Sequence, residues 1–327
     1  LGVNLRPLDG TDAILLGSGA GFALDAAELA LIDSPELVIG SAQHAGAILV
    51  QQAVTRDGNL TLQNQGGSAG IDLQAAIDLG DHTLALATGG DISQSASAAI
   101  TARSLLALAA GDVLLATAQN DVASTTLAGT SGGDFEFLDA TALAIGAVSA
   151  TGIDSVSGQM SGLGASGITA GGDALVRNLA GDLTLQSGIS AQAIDLVTAG
   201  ALQNAAGATL AAANGWRIWA SSWVGETRGG LAGNGALPNL YGCSFNGACA
   251  ATAPASGGNY FIYQQQPTAI IVIGNATREY GLANPTFTYS ITGGVLGDGQ
   301  GSVATGTPTS AATIGSNVGA YSITGSF

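Results

Sequence analysis

Side chains able to do chemistry are few and scattered. The 327 residues include two His, two Cys, seven Arg and no Lys, against 23 acids. Asp72, Asp78 and Asp81 beside His82 form the densest group. Carboxylates next to an imidazole could divide acid and base roles in proton transfer. The commoner use of Asp between short apolar runs is to bond the backbone of its own turn, and that role is expected here. His44 and His82, both in polar surroundings, are the only bases for a Ser-His-Asp arrangement. No Gly-x-Ser-x-Gly elbow leading into a helix accompanies either. Gly17-Ser18-Gly19-Ala20-Gly21 looks like a nucleotide loop, but it lacks the Lys-Ser/Thr ending and the strand–helix context. Cys243 and Cys249 are six apart. Two thiols without a nearby His are too few to hold a metal, and the redox Cys-x-x-Cys spacing is missing. In an exported protein they are expected to close a disulfide loop worth roughly 2–3 kcal/mol. The calcium-binding nonapeptide repeat is also missing. No catalytic, metal-binding or cofactor-binding residue is expected, and no cofactor.

Trp216, Trp219 and Trp223 are the only tryptophans. Such a cluster either stacks on sugar rings or covers the open end of an elongated fold, and the covering role is expected. The net charge of −16 without Lys argues against nucleic acid and anionic membrane as partners. No run of about 18 apolar residues is present to cross a bilayer as a helix. The chain starts without Met or a signal segment, and Met160 is its only methionine. It is expected to be an internal piece of a longer precursor.

The framework follows from composition and period. Charged residues are 9% and aromatics 5%, while Gly numbers 51, which suits a core of many thin layers. Gly90-Asp91, Gly111-Asp112 and Gly133-Asp134 recur at spacings of 21 and 22 residues, with further pairs at Gly80-Asp81, Gly172-Asp173 and Gly181-Asp182. Between them lie short alternating runs such as Leu60-Thr61-Leu62, Ile71-Asp72-Leu73 and Ile194-Asp195-Leu196, which read as strands with one buried face. Repeats of this length imply an all-β, right-handed parallel β-helix over residues 1–214. Roughly ten to twelve coils would make a rod on the order of 50–60 Å long. Ala26-Ala27-Glu28-Leu29-Ala30 and the stretch from Ser104 to Ala110 favour helix locally, but Gly is too dense for a helical fold. Residues 215–267 hold the Trp cluster, a Gly-rich stretch and the Cys loop, and read as a cap and junction. Residues 268–327 alternate again around Ala269 to Ile273, Tyr280 to Ile291 and Gly319 to Thr324. They read as a small antiparallel β module, truncated before its last strand.

The end of the chain resembles known exoproteins. Trp216 to Trp223, the Gly-rich turn, the Cys loop and Asn259-Tyr260-Phe261-Ile262-Tyr263 look like the junction of filamentous-haemagglutinin-type proteins. Tyr280-Gly281, Asn284-Pro285, Phe287, Gly297-Asp298 and Gly319-x-Tyr321-x-Ile323 resemble an MBG-type repeat. The resemblance covers about the last third; the coils before it match in style only. It implies a non-catalytic adhesin segment of a Gram-negative cell-surface protein, exported through an outer-membrane secretion partner and attaching to cells, surface glycans or proteins. A structural stalk and a carbohydrate-active β-helix enzyme are the competing readings.

Overall fold

The computed structural model describes residues 2–122, 126–235, 237–249, 254–255, 257–298 and 304–327. The chain is almost entirely β, with about ten turns of a parallel β-solenoid followed by small antiparallel sheets. Two 12-stranded parallel sheets and one three-stranded sheet form the walls. The first wall includes Glu36–Ser41, Asn59–Asn64, Thr83–Thr88, Ser104–Ala109 and Thr126–Ser131. The second includes Ile14–Leu16, Ile48–Val50, Ile71–Leu73 and Ile92–Gln94. The third holds Val54–Thr55, Ile77–Asp78 and Ile100–Thr101.

Period-2 alternation puts like residues in columns, because parallel strands stack in register at about 4.8 Å. Leu37, Leu60, Leu84, Leu105 and Leu127 line the inside of the first wall. Ile14, Ile48, Ile71, Ile92, Val113, Phe135, Ala174, Ile194 and Trp216 line the second. All of these are buried in one continuous core. The corners hold buried polar columns. Asn64 donates to Gly46 O, Ala69 O and Gly70 O, and Thr88 donates to Ala69 O. Asn120, Asp139, Asn178 and Thr198 stack in register at another corner.

The Gly-Asp pairs turn out to be a stacking unit. Asp91 Oδ1 accepts from Asp112 N at 2.9 Å, Asp112 Oδ1 from Asp134 N at 2.8 Å and Asp134 Oδ1 from Asp173 N at 2.8 Å. Asp173 Oδ1 continues the series to Ala193 N at 3.0 Å. Asp91, Asp112 and Asp134 each sit where a side chain on the next coil's glycine would be. A Cβ on Gly111 would lie 1.9 Å from Asp91 Oδ1. Glycine makes the room and aspartate fills it, so the two recur together.

One coil carries an insertion that the periodicity did not announce. Ala147–Asp154 and Gln159–Ser166 form an antiparallel hairpin that leaves the first wall and folds back across its outer face. Its neck is narrow: Gly146 N donates to Leu127 O, Gly167 N to Gly146 O and Gly129 N to Gly167 O. Gly167 has φ +74°, and a Cβ there would lie 1.9 Å from Gly188 O, so the neck closes only with glycine. The outgoing strand Ala147–Asp154 touches the five successive strands from Glu36–Ser41 to Thr126–Ser131. Val148 packs with Ala85, Leu106 and Ala128, and Leu163 and Ala165 join them. Eight extended residues reach ~26 Å, enough to cross five strands spaced ~4.8 Å apart.

The two helix-prone segments part ways. Ala26–Ala30 is a short helix, because Asp25 and Glu28 cap its first turn reciprocally. Ser104–Ala109 is a strand, because in-register neighbours on both sides and a buried face outweigh helix propensity.

The parallel stack runs past residue 214. Trp216–Ala220 and then Tyr260–Tyr263 extend the second wall, and Asn239–Tyr241 pairs with Tyr260–Tyr263. Residues 215–267 therefore contain the closing strands of the solenoid itself, not only a cover placed on it. Beyond them, Ile270–Ile273 pairs with Tyr289–Thr292, and Thr309–Ser310 with Ile323–Thr324, both antiparallel. The expected strands from Tyr280 and Gly319 form only at their C-terminal ends, since Gly281, Pro285 and Gly319 keep the preceding residues out of a ladder.

Candidate functional site

The closing end of the solenoid gathers the residues that the sequence singles out. Trp216 faces inward, 3% exposed, and meets Phe261 edge-on at 5.1 Å. Trp219, on the opposite face of the same strand, is covered by Phe245 at 5.6 Å. Its Nε1 donates to Asp195 Oδ1 at 2.9 Å, and Asp195 also accepts from Arg217. Trp223 meets Tyr241 and Tyr263 edge-on, and those two rings stack at 5.6 Å. Trp216 and Trp219 are buried in packing, while Trp223 is only partly buried beside Tyr241 and Tyr263.

Cys243 and Cys249 are joined in a disulfide. The loop they close lies over the outer face of the second wall, where Trp219, Leu240, Cys243 and Ile262 form a small separate core. Arg177 contributes from below, its guanidinium 5.2 Å from the Phe245 ring centre.

Sequence reading missed the ionic part of this closure. Arg228 lies over Phe261, 3.7 Å from the ring centre. It donates to Glu226 at 2.5 Å, Asn239 Oδ1 at 2.8 Å and Tyr263 Oη at 2.6 Å. Tyr263 donates to Glu226 Oε2 at 2.7 Å. Burial, together with the bond to Glu226, pushes the Tyr263 hydroxyl well above its ordinary range, so it stays a donor. Asp298 of the C-terminal module accepts from Asn239 Nδ2 at 3.0 Å and from the Tyr241 hydroxyl. The available signal was Asn and Tyr among aromatic residues near the Glu226 and Arg228 pair.

The acidic patch is divided by the walls. Asp72 sits on the second wall and accepts from Gln74 and Ser93. Asp78 is on the third wall and accepts from Gly80 N. Asp78, Asp81 and His82 line a groove of about 760 Å³ with Leu29, Arg56 and Asp57, and Asp72 is not part of it. His82 Nε2 lies 2.6 Å from Asp57 Oδ1, a partner that sequence reading did not assign. His44, expected in polar surroundings, is instead 2% exposed and its Nε2 has no hydrogen-bond partner. Loss of solvent holds its imidazole below the ordinary range, with Asp12 opposing. Gly17 to Gly21 joins two paired strands, Ile14–Leu16 and Phe22–Leu24. Among the described residues, no three His, Cys, Asp or Glu side chains come together as metal ligands.

The outer surface of the second wall carries a column in register: Leu15, Leu49, Asp72, Ser93, Leu114, Glu136 and Leu175, all half-buried. Below the cap it ends at Asp195 and Arg217.

These features define a parallel β-solenoid closed by an aromatic and ionic network and continued by a small β module. Residues 269–327 of that module match the family model described as MBG domain (YGX type). No curated protein and no solved structure matches the chain. A solenoid joined to an MBG module fits a repeat-containing region of a surface protein or exoprotein.

Proposed function

We propose that this chain is a non-catalytic adhesive segment of an exported bacterial surface protein of the filamentous-haemagglutinin type. In this reading it reaches the surface of a Gram-negative cell through an outer-membrane secretion partner and attaches to surface glycans or proteins. The carrying observation is the outer column of the second wall. A spacer needs only a uniformly small and polar exterior, whereas this column intersperses four half-exposed Leu with Asp72, Ser93 and Glu136 over successive coils. Apolar groups in a polar frame, repeated at ~4.8 Å, suit an extended partner better than a compact ligand. The patch that the enzyme reading would use is split, since Asp72 does not line the groove holding Asp78, Asp81 and His82.

The test is binding of the labelled chain to intact bacterial and epithelial cells, with an inert β-helix of similar length as control. Saturable binding that unlabelled chain competes away, and that weakens in Leu114→Asp, supports the reading. Binding no better than the control makes the segment a stalk.

A further inference from the structure

The two edges of the inserted hairpin are treated differently. The outgoing strand is stitched to the solenoid: Thr61 Oγ1 donates to Thr151 O at 2.7 Å, Ile153 N to Gln63 Oε1 at 2.8 Å and Ala42 N to Ile153 O at 2.9 Å. Among the described residues, the returning strand Gln159–Ser166 has a single side-chain tie, Ser166 Oγ to Ser187 Oγ at 2.9 Å at its neck end, and its backbone from Met160 to Ser166 bonds only the outgoing strand. An unpaired edge this long is a template for another strand, and proteins usually blunt it with Lys, Pro, a bulge or a covering loop. None of these is present among the described residues. The register runs from Ala147↔Ser166 to Asp154↔Gln159 without a shift, and the returning strand has neither charge nor proline. At Gly162 an added Cβ would meet nothing within 4 Å.

Charge indicates what pairs there. With a net −16, two copies of the chain repel over most of their surface. Between Asp154 and Asp173 there is no charged residue at all, so the returning strand is a strip along which two copies meet without opposing acids. An antiparallel strand pair has two-fold symmetry, so a single edge can pair with itself and close the assembly. We propose that the returning strand pairs edge to edge with the same strand of a second copy, merging two hairpins into one antiparallel sheet that links two solenoids side by side. The contact is small, which places the dimer among weak associations, with Kd on the order of 10–100 µM.

Sedimentation equilibrium of the full chain over about 2–200 µM, combined with amide exchange of residues 160–166, tests this. A reversible dimer is expected, with slower exchange in that segment as concentration rises. Gly162→Asp sets two like charges close across the two-fold axis and should weaken the dimer about tenfold or more. Ala96→Asp adds the same charge on an exposed turn of another coil and should leave dimerisation unchanged. Circular dichroism and melting of both variants should match the parent, since neither site is packed. A chain that stays monomeric throughout overturns the proposal, as does a dimer indifferent to Gly162→Asp. Protection of 160–166 only on adding an extended peptide, with the chain still monomeric, would replace the second copy by a foreign strand.

Discussion

Replacing Asp139 with Asn removes the carboxylate from the corner column of Asn120, Asp139, Asn178 and Thr198. Asp139 is wholly buried. It accepts from Val122 N at 2.9 Å and from Thr141 N and Thr141 Oγ1, both at 3.1 Å. Loss of solvent outweighs those bonds, and with nearby Asp121 also opposing ionisation the carboxyl is raised from 3.8 to about 6. The folded value lies above the unfolded one, so the protonated form favours folding. That contribution is fully present below the unfolded value and is lost as pH rises through the folded one. A shift of about two units corresponds to about 3 kcal/mol. The stability of Asp139→Asn minus that of the parent should therefore grow by about 3 kcal/mol between about pH 3.5 and 7.5. The new amide meets the Thr141 N–H with a donor, but that cost is independent of pH and drops out of the difference. Urea unfolding followed by circular dichroism gives both curves. A difference that is flat with pH, or that shrinks as pH rises, refutes the reasoning.

Gly111→Ala drives a methyl group into the Asp91 carboxylate and should cost about 2 kcal/mol or more by thermal melting, whereas Gly162→Ala, with open space, should be near neutral. Cys243→Ser should cost about 2 kcal/mol and shift tryptophan emission to the red as the loop over Trp219 loosens; unchanged emission would show that the loop needs no covalent closure. Arg228→Ala strands the nearly buried Glu226 carboxylate and should cost about 3 kcal/mol in chemical unfolding, against a much smaller loss for Arg6→Ala on the exposed surface.

The walls of the solenoid were legible because alternation and stacking act on the same residues: Ile71-Asp72-Leu73 reads as a strand, and it is one. The Gly-Asp pairs were legible as turns but not as a ladder, since the bond from Asp91 runs to a backbone 21 residues on. The hairpin was hidden because Ala147 to Ser166 alternates small residues just as the coils do. The only trace was the long interval between Gly133-Asp134 and Gly172-Asp173. At the cap, sequence placed the aromatics but could not tell which face of the strand each indole would take. Trp216 and Trp219 are three apart and therefore point to opposite sides, one into the rod and one beneath the Cys loop. His44 shows the same limit: its neighbours along the chain are polar or small, while burial is decided by coils stacked from elsewhere.

The hairpin also changes how the rod would answer a pull. Bonds between coils lie along the long axis, so tension on the two ends loads them one after another and would peel turns apart in sequence. The outgoing strand runs the other way, with its covalent backbone along that axis, rooted at the Gly146–Gly167 neck and hooked onto Thr61, Gln63 and Ala42. It acts as a strut in parallel with the coils it crosses. Its hooks resist by sliding instead of peeling, so the stretch from Glu36 to Ser131 should extend as one stiff block while turns beyond it open singly.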